Sequence, residues 1–375
     1  MPAVEARSSA ILRNATVILA VIACGVCLYL LSDILTPLAL AMFLAVMIDG
    51  FARVLEHRLA WLSQRWAVPV AILLSLILFG GTCFFIAENA AGFASQLTAY
   101  TPKLNSLIAY VAGAFGFEAP PSISQLFHQL DPTKYLGSVA RAFQSFTVTA
   151  GLVLIYTAFI IASRRGWARK VVGLFPNHLE RHEAVATFQR IRNGVEQYLW
   201  VQTITGLMIA VGSWLAMIAV GLDNALFWAF LIFIASYIPV IGGVIAVAAP
   251  PIFALVQFST YWQAIVLFGV LQAISMIVGN IIYPRMQGQS LNIDPLIVLL
   301  ALAFWGAVWG LAGAFLSTPL TVAMMVILAQ FDGTRWIAVI LSADGDPQQL
   351  KSKKTNEAPD ASLSPEPVGR RSKRS

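Results

Sequence analysis

The chain has 375 residues, of which 58% are hydrophobic and only 11% are charged, and its formal net charge is +6. Soluble domains carry roughly 25% charged residues, so this composition excludes an ordinary water-soluble domain. The positive charge does not indicate a nucleic-acid partner, because the Pro/Ser-rich stretch from Lys351 to Ser375 holds seven basic and three acidic residues. The partner that this composition predicts is a lipid bilayer.

The N-terminal part is predicted to contain the first transmembrane helices. Residues 1–14 form a short cytoplasmic N-terminus, and residues 15–87 contain long apolar runs. At ~1.5 Å per residue, such runs cross or nearly cross a hydrocarbon core of ~30 Å. Cys24 and Cys27 have the spacing of a metal or redox pair, but they lie inside the first run, with no second pair and no nearby His. We therefore predict no metal there.

An external amphipathic segment is predicted at residues 88–145. Apolar side chains recur there at helical spacing, with an interruption at Pro102. They are Phe93, Leu97, Tyr100, Leu104, Leu107 and Val111. Because such a stripe does not stay in water, it lies on the membrane, packs against another subunit, or contacts the rest of the chain.

Residues 146–331 are predicted to form the main transmembrane region. Between Val201 and Phe331 the only acidic or basic residues are Asp223, Arg285 and Asp294. A cytoplasmic helix is predicted at 177–200, because Asn177 can cap its first turn and Glu180 follows three residues later. Two later apolar stretches, 224–258 and 295–330, are too long for one span and carry helix breakers near their middles. Each is predicted to be a helical hairpin or a broken helix.

The predicted fold class is an all-α polytopic membrane protein with about 8–10 membrane segments, including the two hairpins or broken helices. The basic residues lie mostly on one side of this arrangement, which predicts that both termini are cytoplasmic. Residues 332–375 form a cytoplasmic tail. It is predicted to be disordered after about residue 347, because it is polar and has no apolar periodicity.

The sequence does not predict an enzyme. It has no nucleotide-binding loop of the G-x-x-x-x-G-K-[ST] type and no Ser, His and Asp arrangement at membrane depth. His178 and His182 are four apart, but the His-Glu-x-x-His order of a zinc protease is absent. We therefore predict no catalytic residue, no metal site and no cofactor.

The helix breaks and the few polar groups of the apolar region are the candidate substrate path. Unwound backbone is tolerated in a membrane only where protein buries it or where it lines a cavity. An amide such as Asn280 in an apolar helix either contacts another helix or contacts the solute. The alternative for the breaks is a simple turn at the membrane face. The predicted path residues are Tyr237, Pro239, Gly242, Gly243, Gln272, Asn280, Pro284, Asp294, Pro295, Gly310, Gly313 and Pro319.

At these positions the chain resembles the autoinducer-2 exporter (AI-2E) family of bacterial transporters. The resemblance rests on Tyr-Ile-Pro-Val-Ile-Gly-Gly at 237–243, on Asn-Ile-Ile-Tyr-Pro-Arg-Met at 280–286, and on Asp-Pro-Leu at 294–296. The resemblance also includes Trp-Gly-Leu-Ala-Gly at 309–313 and Thr-Pro-Leu at 318–320. It implies a homo-oligomeric exporter of the quorum signal autoinducer-2, although some relatives are linked to sodium or lithium–proton antiport.

Residues and resemblance together predict a secondary transporter that exports a small polar or amphipathic solute, with autoinducer-2 as the candidate. A neutral, hydroxyl-rich solute needs hydrogen-bonding groups and no fixed charge in the path. Two alternatives remain open. A sodium (or lithium)/proton antiporter would need an ionisable carboxylate, for which Asp223 and Asp294 are the nearby residues. A non-transporting scaffold or lipid-binding protein would not need the paired helix breaks.

Overall fold

The structure is a computed structural model of the chain. It describes residues 22–58, 100–114, 132–174, 177–287 and 292–346, together with scattered positions between 16 and 20 and between 69 and 88. The predictions for the N-terminus, for most of residues 59–99 and for the tail after residue 346 lie outside these described residues.

The described part of the chain is helical and contains no β-strand, only an isolated bridge between Ile293 and Ser342. The predicted all-α fold class is therefore confirmed. The helices are α1 (Ser32–Arg58), α2 (Thr101–Ala114), α3 (Pro132–Leu174), α4 (His178–Val220), α5 (Ala225–Ser236), α6 (Ile241–Gln257), α7 (Trp262–Gln287), α8 (Pro295–Leu328) and α9 (Arg335–Leu341).

Within the described residues, four helices are long and apolar enough to cross a membrane. They are found at Ser32–Arg53, His178–Val220, Trp262–Gln287 and Pro295–Leu328. Three shorter apolar helices occur at Thr147–Ser163, Ala225–Ser236 and Ile241–Gln257. Their number and apolar character identify a multi-pass membrane protein.

Helix α4 is longer than the sequence analysis predicts. The cytoplasmic helix expected at 177–200 and the following span form one continuous helix of 43 residues. Asn177 caps its start as predicted, because its side chain accepts a hydrogen bond from the Leu179 N–H at 3.1 Å. The helix ends at Gly221, which has a left-handed φ of 79°. Helix α3 is likewise continuous across the predicted boundary between residues 145 and 146.

Helices α5 and α6 pack against each other and form the first predicted hairpin, called hairpin 1 below. Its arms have 12 and 17 residues. At ~1.5 Å per residue they are ~18 and ~26 Å long, short of the ~30 Å hydrocarbon core. Each arm is therefore shorter than the hydrocarbon core, and at the turn between the arms Ile238 and Gly242 are buried while Val240 and Ile241 are exposed.

Helix α8 folds back on itself at Gly310 and forms hairpin 2. Gly310 has φ 61° and ψ −141°, a backbone conformation that does not occur within a helix. Trp305 Nε1 donates to Thr321 Oγ1 at 3.3 Å, although the two residues are 16 positions apart. In a straight helix that separation would be ~24 Å. The second predicted hairpin is confirmed, with Gly310 at its turn.

Two apolar clusters hold the helices together by close van der Waals packing, the main attraction between helices in lipid. The first joins α4 to hairpin 1 and α7, and its most buried side chains are Met217, Ile232, Leu267 and Leu271. The second joins α1 and α4 to hairpin 2 through Phe43, Leu199, Leu316 and Val322. Helix α4 belongs to both clusters, so it positions both hairpins.

Two ion pairs connect α1 to α4, and α1 supplies the base in one pair and the acid in the other. Arg53 pairs with Glu196, and Arg192 lies 3.4 Å from Asp49. Each helix supplies one acid and one base four positions apart. The helices can approach closely because Gly50, which has no side chain, faces Glu196. A Cβ at Gly50 would lie only 3.0 Å from the Glu196 carboxylate. The pairs therefore fix the register of α1 on α4.

We expect Arg53→Glu to lower the melting temperature of the detergent-solubilised protein. The variant places a carboxylate against Glu196 and beside Asp49, so attraction becomes repulsion at a partly buried position. Because Arg53 is 43% exposed, solvent screening limits the effect to about 1–2 kcal/mol. The double variant Arg53→Glu/Glu196→Arg should recover most of the loss. A double variant as unstable as the single one would show that the ion pair does not set the register.

Candidate functional site

A cavity of about 540 Å³ lies where the two hairpins meet α4 and α7. Its wall consists of the tip of hairpin 1, one face of α4, the C-terminal part of α7 and both arms of hairpin 2. Most lining side chains are apolar. The polar ones are Tyr198, Gln202, Thr205, Ser236, Tyr283, Gln287 and Thr318.

The tip of hairpin 1 is a tight turn that only glycine permits at one position. A Cβ at Gly242 would lie 2.4 Å from the Ala235 carbonyl oxygen and 2.6 Å from Ser236 Cα. Val240, at the outermost point of the turn, has a φ of 64° that β-branched residues rarely adopt. Such strain persists only where the surrounding structure imposes it. The tip is therefore held in place by its neighbours.

Helix α4 supplies those neighbours. The amide of Gln202 donates to the Ser236 carbonyl, which the end of α5 leaves without a helical partner. Thr203 Oγ1 and the Tyr237 hydroxyl are 2.7 Å apart. Gly206 lets the tip approach, because a Cβ there would lie 2.2 Å from Ser236 Oγ. Gln202 and Thr203 of α4 thus form hydrogen bonds with the polar groups at the helix break, and Gly206 leaves the space that the tip needs.

Helix α7 contributes a local irregularity. Its α-helical part ends at Ile277, and Val278–Ile282 form a π-helical turn before the last α-helical turn. Val278 and Gly279 of this turn line the cavity, followed by Tyr283. π-turns occur frequently at functional sites because they redirect side chains without ending the helix. The sequence analysis does not predict the π-turn.

Hairpin 2 closes the cavity from the other side. Pro295 and Val298 line it from the first arm, Ile293 lines it from just before that arm, and Thr318 lines it from the second arm. The buried Thr318 hydroxyl faces Tyr198 but makes no well-formed hydrogen bond within the described residues. Its oxygen is almost fully buried in the wall.

Four of the predicted path residues line the cavity. They are Pro239, Gly242, Gly243 and Pro295. Tyr237 stands behind the wall, where it contacts Thr203 and stacks on Phe315 with ring centroids 5.2 Å apart. Pro319 is buried next to Thr318.

Three predicted residues do not face the cavity. Gln272, Asn280 and Pro284 lie on the exposed side of α7. The Asn280 amide donates to the Met276 carbonyl of its own helix at 3.1 Å, which satisfies it without a partner helix or a solute. The neighbouring Gly279 lines the cavity instead. The sequence shows an amide in an apolar helix but not which face of the helix is turned to lipid.

Three others have structural roles. Gly310 forms the turn of hairpin 2, and Gly313 lets its two arms approach. Asp294 caps the first arm, because its carboxylate accepts from the Leu296 N–H at 2.7 Å.

The sequence analysis does not identify Tyr198, Gln202 and Thr205 as part of the site. A signal for them exists, because 198, 202, 205 and 209 repeat at intervals of four, three and four and all line the cavity. This spacing marks one face of a helix. The face mixes polar and apolar side chains, so an apolar periodicity does not reveal it.

Comparison with known sequences identifies the family of this chain. The sequence model of AI-2E family transporters matches residues 17–333. The chain belongs to the AI-2E transporter family. It is 29% identical over 339 residues to the AI-2 transport protein TqsA of Escherichia coli K12, covering 86% of this chain and 93% of that protein. It is also 29% identical to a putative transport protein of Haemophilus influenzae, over 86% of this chain and 93% of that protein.

Membership of a transporter family makes the cavity a candidate solute site. None of the described residues that line it is Asp, Glu, Lys, Arg or His. Its polar groups are hydroxyls, amides and backbone groups of the broken helices. Such a set binds by hydrogen bonds and by contact with apolar surface, and it offers no counter-charge to an ion.

Proposed function

We propose that this AI-2E family transporter exports a small, uncharged, hydroxyl-bearing solute through the cavity, with autoinducer-2 as the first candidate. The observation that carries the proposal is a cavity between two helical hairpins whose polar lining is neutral. A volume of about 540 Å³ lies within the usual range of ~300–1,000 Å³ for small-molecule sites. The relative named for AI-2 transport supports the choice of solute.

Cation–proton antiport has less support. Asp294 is the helix cap described above, and Asp49 is paired with Arg192. Asp223 accepts a hydrogen bond from Tyr100 at 2.8 Å in the turn before hairpin 1. Burial, together with this carboxylate, raises the pKa of Tyr100, so the phenol keeps its proton and remains the donor. These three carboxylates therefore have structural partners outside the cavity lining.

Location and assembly belong to the same proposal. Membership of a bacterial transporter family supports a location in the inner membrane, and the skew of basic residues supports cytoplasmic termini. Many apolar side chains on α7, such as Ile265, Phe268 and Met276, are exposed, which suits contact with lipid or with another copy in a homo-oligomer. A reporter fused after Gly345 that is active only in the periplasm would contradict the orientation.

Transport into and out of liposomes tests the proposed function. The purified protein is reconstituted, and flux of autoinducer-2 is compared with flux of a sugar acid of similar size. Both are measured with and without a proton or sodium gradient. We expect flux of the neutral solute well above protein-free liposomes and little flux of the anion. Preference for the anion, or gradient-driven sodium flux without solute flux, would contradict the proposal.

Gly243→Leu should block this transport while leaving the fold intact. Gly243 lines the cavity, and no other described residue lies within 4 Å of a Cβ built there. The new side chain therefore occupies the space that the solute would use. We expect at least a tenfold loss of flux, which corresponds to about 1.4 kcal/mol, with little change in melting temperature.

Asn280→Leu is the matched control. It also adds an apolar side chain near the cavity, but on the exposed face of α7. We expect its flux to stay close to that of the unmodified protein. Equal flux through Gly243→Leu and Asn280→Leu would remove the cavity from the path.

A further inference from the structure

The C-terminal end of the described chain returns to the start of hairpin 2. Ser342 forms an antiparallel bridge with Ile293. The Asp294 N–H donates to the Leu341 carbonyl at 3.2 Å, and the Ala343 N–H donates to the Asn292 carbonyl at 3.1 Å. Residues 342–346 and 292–294 are called the clasp below.

Asn292 is the centre of the clasp. Its side-chain amide donates to the Asp344 carboxylate at 2.6 Å and to the Asp346 carbonyl at 2.8 Å. The same carboxylate also accepts from the Asp346 N–H at 3.0 Å. Asn292 has a positive φ of 42°, a conformation in which Asn is among the more favourable non-glycine residues. One side chain therefore connects two distant parts of the chain.

The clasp joins the two ends of hairpin 2. The first arm begins at Pro295, directly after the clasp, and the second arm continues into α9. Helix α9 packs back on that arm, with Ala338 against Met325 and Ala329. Hairpin 2 is thus closed at its tip by the turn at Gly310 and at its base by the clasp. Ile293 and Pro295, which flank Asp294, line the cavity.

We propose that Asn292 is a positioning residue for transport, which holds Ile293 and Pro295 in the cavity wall through the C-terminal segment 342–346. This inference deepens the proposed function and rests on it for the transport measurement. It assigns a role to a part of the chain that the transmembrane helices do not include. A shift of the clasp would therefore move two residues of the cavity wall, Ile293 and Pro295.

Hairpin 1 offers a matched control, because an amide also closes its base. Gln257 accepts from the Asp223 N–H at 2.7 Å and donates to the Gly221 carbonyl at 2.9 Å. That base is at the opposite end of hairpin 1 from the tip that lines the cavity. Loss of Gln257 should destabilise hairpin 1 without altering the cavity wall.

The first experiment is hydrogen–deuterium exchange of the full-length protein in detergent. Asn292→Ala removes two hydrogen bonds, one of them to a carboxylate, and each such bond contributes about tenfold to a local equilibrium. We expect exchange at residues 292–296 and 342–346 to rise at least tenfold. Gln257→Ala should leave both segments unchanged. Unchanged exchange in Asn292→Ala would overturn the proposal whatever the transport result.

The second experiment is the concentration dependence of autoinducer-2 flux in liposomes. Asn292→Ala should raise KM several-fold with a nearly unchanged maximal rate, because positioning affects solute binding. Gln257→Ala should leave KM unchanged. Increased exchange with a normal KM would show that the clasp is only structural. If the unmodified protein moves no autoinducer-2, the proposed function fails, and the exchange experiment alone decides whether Asn292 holds the wall segment.

Truncation separates the clasp from the basic tail. A chain ending at Asp346 keeps every clasp residue, so we expect normal exchange and a normal KM. A chain ending at Leu341 lacks the C-terminal half of the clasp and should behave like Asn292→Ala. Identical behaviour of both truncated chains would contradict the assignment of the clasp to residues 342–346.

Discussion

Gly313→Ala should prevent correct assembly of hairpin 2. A Cβ at Gly313 would lie 1.9 Å from the Trp305 carbonyl oxygen and 2.9 Å from Trp309 Cβ. The first of these atoms is backbone, so no side-chain rotation relieves the contact. The arms would have to separate at the point where the chain turns at Gly310, next to the buried Trp305–Thr321 hydrogen bond. We expect a destabilisation of about 3 kcal/mol or more, beyond ordinary overpacking.

The variant is purified in detergent, and size-exclusion chromatography gives the amount of monodisperse protein. The melting temperature of that fraction is then measured. Gly306→Ala is the matched control, since its added Cβ would lie 3.9 Å from Ala314 Cβ, an ordinary contact. It makes the same chemical change in the same hairpin. A stable, monodisperse Gly313→Ala protein would show that the arms do not pack as closely as the structure has them.

The two hairpins could be predicted from the sequence because their signals are local. Pro239, Gly242 and Gly243 interrupt one apolar stretch, and Gly310 interrupts the other. An interruption inside lipid requires protein around it, so the breaks also indicated a site. The prediction needed only the breakers and the length of each stretch.

The sequence could not show which side of α7 faces the cavity. An apolar helix with lipid on one side and protein on the other has no amphipathic pattern, so Asn280 and Gly279 could not be told apart. The π-turn at Val278–Ile282 has no local sequence signal either. Its effect on side-chain direction depends on packing against α4 and the hairpins.

The role of α4 was missed for a related reason. The function of its polar groups depends on partners far along the chain, which the spacing of residues within α4 does not show. Gln202 is a single polar residue in an apolar stretch of the sequence. In the fold its amide donates a hydrogen bond to the Ser236 carbonyl, 34 positions later. The same holds for Asn292 and Asp344, which are 52 positions apart. Such pairings follow from the tertiary fold and not from spacing.

Gly242→Ala should disrupt the tip of hairpin 1 and, with it, the cavity. The methyl group would lie 2.4 Å from the Ala235 carbonyl oxygen and 2.6 Å from Ser236 Cα, both of them backbone atoms. The tip must then open, which pulls Ser236 away from Gln202 and Tyr237 away from Thr203. We expect about 2–3 kcal/mol of destabilisation, together with the loss of most transport activity.

Gly243→Ala provides the control one residue away. No described residue lies within 4 Å of a Cβ at Gly243, and its φ is not positive, so alanine fits without strain. Thermal unfolding of the two variants in detergent should therefore differ by several degrees, with Gly243→Ala close to the unmodified protein. In liposomes, Gly243→Ala should retain most of its flux and Gly242→Ala should not. Equal stability and equal flux would show that the turn at 237–243 tolerates a side chain at both glycines, and the tight tip described here would be wrong.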